Sequence, residues 1–446
     1  MTPETICAIA TAPGGALGIV RISGPDALSA IRKLCPSLSE SIKPRTQHFC
    51  TIHDGDEILD EALVTFFQAP NSYTGEDAVE VSCHGSAYIL RRLLELLVGK
   101  GCRLARPGEF TQRAFMNGRL DLSQAEAVAD LISASNHASQ RLAMSQLRGG
   151  ISSELSALRD HLLRLTSLLE LELDFSDHED LEFADRKELL ALARRIHKHI
   201  HRLADSFHAG NALKQGIPVA IVGAPNVGKS TLLNQLLGEE RAIVSDIQGT
   251  TRDAIEDIVT IRDVSFRFID TAGIRHTSDK VEQMGIERSL SAARRARIVI
   301  LMTEPGVPYP HLDLRDDQTL IRIENKTPHF QAKFGIGLDV LREQLLSVVP
   351  TMTDSDVVVT NARHYEVLCR AQEAMQRVID GMGWSHDAQS SSGDTQLLVE
   401  STAPLPGDLL AEDLRDVLSI LAEITGGAIT SQETLNNIFQ HFCVGK

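Results

Sequence analysis

The run Gly223-Ala224-Pro225-Asn226-Val227-Gly228-Lys229-Ser230 holds the densest chemistry in the chain. Its glycines let the backbone approach a polyanion closely, and successive N–H groups opening a helix can wrap phosphates. At this spacing Lys229 is expected to neutralise the β- and γ-phosphates of a nucleotide, and the Ser230 hydroxyl to ligate Mg2+. Asn226, Val227, Gly228 and Thr231 complete the expected cradle. The flanks agree, with an apolar strand expected over 217–222 and an apolar helix over 230–237.

Two further groups follow in chain order. Gly249-Thr250-Thr251-Arg252-Asp253 offers Thr251 as a second hydroxyl ligand for Mg2+. Asp270-Thr271-Ala272-Gly273 ends an apolar strand expected over 264–269; Asp270 can hold a metal-bound water there, and the Gly273 N–H can touch a γ-phosphate. Alone each match is weak. In this order they point to a switch GTPase rather than a kinase or an ATPase.

The base-reading half departs from that pattern. A strand over 319–323 leads to Asn325-Lys326-Thr327-Pro328, where Asn-Lys-x-Asp would read guanine. Pro328 removes the carboxylate that accepts hydrogen bonds from guanine N1 and N2. Charged bonds of this kind contribute roughly 1.5–3 kcal/mol each, so weakened guanine preference is expected. Gln331-Ala332-Lys333 is a weak version of a Ser-Ala-Lys loop, and the stretch 303–318 is too short and proline-rich for the usual intervening helix. Ile274 follows Gly273, so no glutamine stands there to orient the attacking water. Another water-positioning group and another positive charge are needed. Asp279, Glu282 and Glu287 are nearby carboxylates and Arg275 and Lys280 nearby cations, and pattern alone does not choose among them.

These groups must be positioned by a larger chain. At 446 residues it is long enough for about three domains. Residues 1–118 mix short apolar runs, turn signals and a helical stretch near 89–98, which reads as a small α+β domain. The pattern then becomes helical over 119–215, where Leu155, Leu158, Leu162, Leu165 and Leu169 step by three and four along one helix face. The α/β segment fills 216–350. Residues 351–446 return to helix, with a polar, disordered-looking tract near 385–396. The expected fold class is multidomain α+β: a small N-terminal α+β domain, a discontinuous helical domain, and an α/β P-loop GTPase domain inserted into it.

Composition narrows the partners. Hydrophobic residues make up 43% and charged residues 23%, ordinary for a globular chain, and no apolar run suits a bilayer. The seven cysteines are dispersed with no Cys-x-x-Cys pair, which suits reduced thiols in a cytoplasmic protein and disfavours zinc. A net charge of −16 repels a nucleic-acid backbone on average. An RNA partner therefore needs a local basic surface. Candidates are Arg194–Arg202 and the group Arg294, Arg295 and Arg297, for each of which a solvated helix face is the blander alternative.

At this point the chain resembles the MnmE (TrmE) family of bacterial tRNA-modification GTPases over nearly its whole length. The residues carrying the likeness are TICAIATAPGGALGIVRISGP, PNSYTGEDAVEVSCHG, ARPGEFTQRAFMNGRLDLSQAEAVADLI, DTAGIR, VEQMGIERS, EITGGAIT and the terminal Phe-Cys-Val-Gly-Lys. The resemblance implies a cytoplasmic homodimer whose N-terminal domain dimerises and binds 5-formyl- or methylene-tetrahydrofolate through Arg21, Glu80, Arg119 and Lys446. It implies an FAD-carrying, MnmG-like partner in a heterotetramer, with which a carboxymethylaminomethyl-type group is added at carbon 5 of the wobble uridine of certain tRNAs. It implies K+ in place of an arginine finger, held by Asn226, Ser245, Ile247 and Thr250, and Glu282 as the water-positioning carboxylate. Cys443 matches the family's near-terminal cysteine; its thiolate could attack carbon 6 of a uracil, with a structural thiol as the even alternative. His84 and Asp121 are read as structural. Two other classes compete with this reading: a ribosome-assembly switch GTPase, and a scaffold with weakened guanine binding.

Overall fold

Apolar and polar residues alternate along the strand Ala78–His84, sending Val79, Val81 and Cys83 into a core while Glu80, Ser82 and His84 face away from it. A period of two turns such a segment into a half-buried strand. The computed structural model describes residues 4–39, 41–174, 186–239, 256–269, 291–309, 311–349, 357–382, 407–427, 435, 438–440 and 442–445. Ser245, Ile247, Thr250, Thr251, Asp270, Gly273, Glu282, Lys446 and the polar tract near 385–396 lie outside them.

The chain divides into two compact units. The first comprises 1–132, 146–156 and 418–446, and the second 133–145 and 157–417. In the first, β1 (Ile6–Ile9), β2 (Leu17–Ser23), β3 (Gln47–Asp54), β4 (Glu57–Phe67), β5 (Ala78–His84) and β6 (Arg103–Leu104) form one sheet in the order β3-β4-β5-β2-β1-β6. Every neighbouring pair is antiparallel except β1 with β6. Helices α1 (Ala27–Arg32) and α2 (Ala87–Gly99) cover one face, with Ala27, Ala30, Ile31, Leu90, Leu93 and Leu97 buried against Val20, Ile22, Val64, Val79 and Val81. The other face carries Arg21 opposite Glu80. Towards β1, Ile6 and Ala8 pack there with Ala105 and with Phe110 of α3 (Glu109–Met116).

Helix α4 (Leu122–Ser133) starts at Asp121, whose Oδ1 accepts from the Gln124 N–H at 2.9 Å and whose Oδ2 accepts from the Ser152 hydroxyl. That is the geometry of a helix N-cap, and it gives Asp121 the structural role expected of it. Helices α5 (His137–Leu147), α6 (Gly150–Asp174) and α7 (Arg186–Gln215) follow. All five leucines of the expected α6 stripe are buried.

In the second unit, β7 (Ile217–Gly223), β8 (Asp257–Ile261), β9 (Val264–Phe268), β10 (Ile298–Thr303) and β11 (Thr319–Glu324) make a sheet ordered β11-β10-β7-β9-β8. It is parallel apart from the β8–β9 hairpin. Ile298–Thr303 is buried on both faces, as an unbroken apolar run in a central parallel strand should be. Helices α8 (Lys229–Glu239) and α9 (Leu338–Ser347) bury Leu232, Leu233, Leu236, Leu341 and Leu345 on one side. The connection from β10 to β11 has no helix among its described residues. Leu312 and Leu314 instead lean onto the cluster of Val222, Ala292, Ala296, Val299 and Leu301 on the opposite side. The expectation of a missing helix holds, and two leucines do the covering. Helix α10 (Ala362–Met382) belongs to this unit, with Phe207 of α7 stacked 4.6 Å from Tyr365 of α10, while α11 (Gly407–Thr425) starts in it and runs on into the residues of the first.

Candidate functional site

Strand β7 ends at Gly223 and α8 begins at Lys229, so the phosphate-loop sequence bridges strand to helix as its spacing predicts. Asn226 and Gly228 both have positive φ, 62° and 103°. A Cβ on Gly228 would stand 2.4 Å from Asn325 Nδ2, so only glycine fits beneath that amide. The first α8 turn leaves backbone N–H groups without intrahelical acceptors; the first bond of that turn runs from Leu232 N to Gly228 O at 2.9 Å. Ser230 and Thr231 stand on this turn. Lys229 Nζ donates to the carbonyl oxygens of Gly223 and Ala224, each at 2.8 Å. Burial lowers its pKa from the ordinary lysine value. Lys229 is thus a half-buried cation held over the loop, where a polyphosphate would be a stronger partner than two carbonyls.

Asn325 is the buried joint of this site. Its Nδ2 donates to the Val227 carbonyl at 2.8 Å, and its Oδ1 accepts from the Ala332 N–H at 3.0 Å. One side chain therefore connects the phosphate loop, the end of β11 and the Gln331-Ala332-Lys333 loop. Lys326 has φ 64° and pairs with Glu304, a residue that sequence reasoning did not single out. The Thr327 hydroxyl accepts from the Phe330 N–H at 3.1 Å, closing the turn around an exposed Pro328. The structure thus brings together Asn226, Val227, Gly228, Lys229, Ser230, Thr231, Asn325 and Lys326. These residues fit a Mg2+-bound nucleoside triphosphate through an anion cradle, a lysine and a first-turn hydroxyl.

The first unit holds a separate constellation. Arg21 donates through Nε and Nη2 to Glu80 Oε1 at 3.0 and 2.8 Å, and through Nη1 to the Gly445 carbonyl at 3.2 Å. Its guanidinium lies 5.5 Å from the Tyr73 ring centre and 5.7 Å from that of Phe110. Burial raises the Tyr73 phenol pKa, opposed by its 2.8 Å bond to Thr111. Neither aromatic was singled out from sequence, although both lie in runs that carried the family likeness. Arg119 is exposed after α3, with its side chain over Gly75 in the loop that bears Tyr73. Gly445 is buried at φ 96°, and a Cβ there would stand 2.5 Å from the Ile9 carbonyl oxygen. Cys443 is exposed and free, its carbonyl accepting from Gly108 N at 3.3 Å. A paired cation and carboxylate beside the Tyr73 ring suit a flat heteroaromatic ring with donors and acceptors on its edge.

Asp60 accepts from His84 Nδ1 at 2.7 Å and from its backbone N–H at 2.9 Å, anchoring an otherwise exposed imidazole at the end of β5. Among the described residues no group of histidines, cysteines and carboxylates could hold a metal ion. No described helix is long and apolar enough to cross a membrane.

The family model "GTP-binding protein TrmE N-terminus" matches residues 5–119, and "MnmE helical domain" matches 122–443. The chain is similar to the tRNA modification GTPase MnmE of Bacteroides fragilis, with 47% identity and 100% of both proteins covered. The protein of that name from Bacteroides thetaiotaomicron is 46% identical, again with 100% of each covered. That from Porphyromonas gingivalis is 46% identical over 99% of this chain and 98% of its own. The first alignment runs over 486 positions against 446 residues here, so that relative carries residues without a counterpart in this chain.

Proposed function

This chain belongs to the MnmE family of tRNA modification GTPases, and from that premise we propose that it couples K+-dependent GTP hydrolysis to one-carbon chemistry on tRNA. The observation that carries the reading is the closed set Gly228–Lys229–Asn325, in which the anion loop and the loop after β11 share one buried amide.

Lys229 and the N–H groups opening α8 bind and orient the phosphates, while Asn325 fixes the loop so that little reorganisation is needed on binding. Mg2+ would be held by Ser230 and Thr251, and K+ by Asn226, Ser245, Ile247 and Thr250. When bound, the two cations supply charge against the phosphate oxygens. Asn226 is compatible with that scheme, being exposed in the loop with a positive φ. Glu282 positions water and Asp270 and Gly273 meet the γ-phosphate side. In the N-terminal domain, Arg21, Glu80, Arg119 and Lys446 hold a 5-formyl- or methylene-tetrahydrofolate. The Arg21–Glu80 pair beside the Tyr73 ring supports that assignment.

The working unit is a cytoplasmic homodimer that joins an FAD-carrying, MnmG-like partner. Together they place a carboxymethylaminomethyl-type group at carbon 5 of the wobble uridine, with Cys443 near the acceptor. The functional division is 1–118, 119–215 with 351–446, and 216–350. Initial GTPase rates in K+ and Na+, with Mg2+ present and ATP as competitor, test the first claim. Faster turnover in K+ is expected; equal rates in both salts remove the K+ mechanism. Failure to bind tetrahydrofolate in calorimetry returns the chain to a ribosome-assembly or scaffold role.

A further inference from the structure

Helix α7 reverses the sign of the chain. The protein carries a net −16, yet Arg186–Gln215 holds seven lysines and arginines and four histidines against two carboxylates, Glu188 and Asp205. Ala193, Ile196, Ile200, Leu203 and Ala204 are buried and define its inward side. At about 100° per residue, Arg194, Lys198, His201 and Arg202 then fall on one outward arc with Arg195 at its edge. All five are exposed. Asp205 shares that arc, and His201 Nε2 already meets it at 3.3 Å. Among the described residues, Arg194, Arg195, Lys198 and Arg202 have no ion-pair partner. From Arg194 to Arg202 the row extends about 12 Å along the helix.

We propose that this arc of α7 is the surface that grips the ribose-phosphate backbone of tRNA. The proposal rests on the tRNA reading above and assigns it a place. A protein partner would call for an apolar or aromatic centre; the arc offers Ala191 and no large apolar side chain. Repeating cations on a rigid rod suit repeating phosphates, and interfaces with nucleic acid are polar and strongly positive. Such contacts set orientation and carry no base information. They supply the local basic surface that an acidic chain needs before it can approach RNA at all. None of the five residues belongs to the nucleotide or Arg21 constellations, so basal GTP hydrolysis serves as the control for variants at these positions.

The test uses the full chain, a labelled unmodified tRNA transcript and fluorescence anisotropy over a salt series. The variant R194E/K198E/R202E should lose at least about 30-fold in tRNA affinity at 100 mM salt, with the log–log salt slope shallower by about 2 to 3. The charge-keeping R194K/K198R/R202K should bind like wild type, since phosphate contacts need charge rather than a particular fork. The glutamine triple variant covers misfolding of the reversed one, with circular dichroism and basal GTPase rate as controls. Unchanged tRNA affinity and slope in a folded charge-reversed or glutamine variant overturns the assignment and leaves the tRNA reading standing. Loss of a protein partner with tRNA binding intact overturns it too. A wild type that binds no tRNA at any salt defeats the parent reading itself, and this assignment with it.

Discussion

Asn325 Nδ2 lies 2.8 Å from the Val227 carbonyl oxygen, so a buried amide at the end of one strand fixes the backbone of a loop that starts at another. Its Oδ1 holds the Ala332 N–H as well. Asn325→Ala strands both partners in a buried place, which costs about 1–3 kcal/mol per group. Nucleotide affinity is expected to fall by about tenfold or more, with the Tm of the nucleotide-free protein falling too. Calorimetric titration with GDP checks it; unchanged affinity would mean the joint is dispensable.

Pro328 sits exposed in a turn that Thr327 already closes through its hydroxyl and the Phe330 N–H. The turn does not depend on proline, so Pro328→Asp is expected to keep the loop and add the absent carboxylate. GDP should then bind at least about tenfold tighter, since a charged hydrogen bond contributes roughly 1.5–3 kcal/mol, while ADP affinity stays level. Equal gains for both nucleotides would show that the substitution acts on the loop and not on the base.

Gly445 faces the Ile9 carbonyl at a distance no side chain permits, with φ 96°. Gly445→Ala is therefore expected to lift the tail, withdraw an acceptor from Arg21 and weaken tetrahydrofolate binding. GTPase rates should be unaffected. Titration with 5-formyl-tetrahydrofolate and the rate of carboxypeptidase trimming report the two effects. A variant with wild-type folate affinity would separate the tail from that site.

Glu109 is buried, which by itself raises its pKa, but hydrogen bonds from Arg103 and the Arg106 N–H and the charges of Arg103 and Arg113 outweigh burial and hold it at about 2. The folded value lies below the unfolded one. The group therefore stabilises above its unfolded pKa of about 4.3, and that contribution fades as pH falls towards 2. Acid unfolding followed by near-UV circular dichroism should show a loss in this window. Glu109→Gln should lower stability at pH 7 by about 2–4 kcal/mol, leaving Arg103 and Arg113 short of their acceptor, and flatten the acid limb. An unaltered acid limb would assign the transition to other carboxylates.

Much of this site was legible in the sequence because its parts are local. The residues from Gly223 to Ser230 are contiguous, and strand-loop-helix order fixes what they do. The leucines of α6 were equally plain, since burial on one face leaves its period in the sequence; the strand β10, buried on both faces, was not singled out. What escaped is joined across the chain. Tyr73 and Phe110 flank Arg21 only after β2, the loop before β5 and α3 come together. Glu304 meets Lys326 because β10 and β11 end side by side. The Gly445 carbonyl is a backbone atom 424 positions from Arg21, and no residue type announces it.

The bare crossover between β10 and β11 has a wider bearing. Where an amphipathic helix covers a sheet, adding or removing residues shifts a whole apolar stripe by 100° each. A connection pinned by Leu312 and Leu314 has no such phase to keep. Residues added or removed here leave the strands in register and the nucleotide loops at the strand ends undisturbed, provided both leucines keep their places. What limits that change is where the two pins fall.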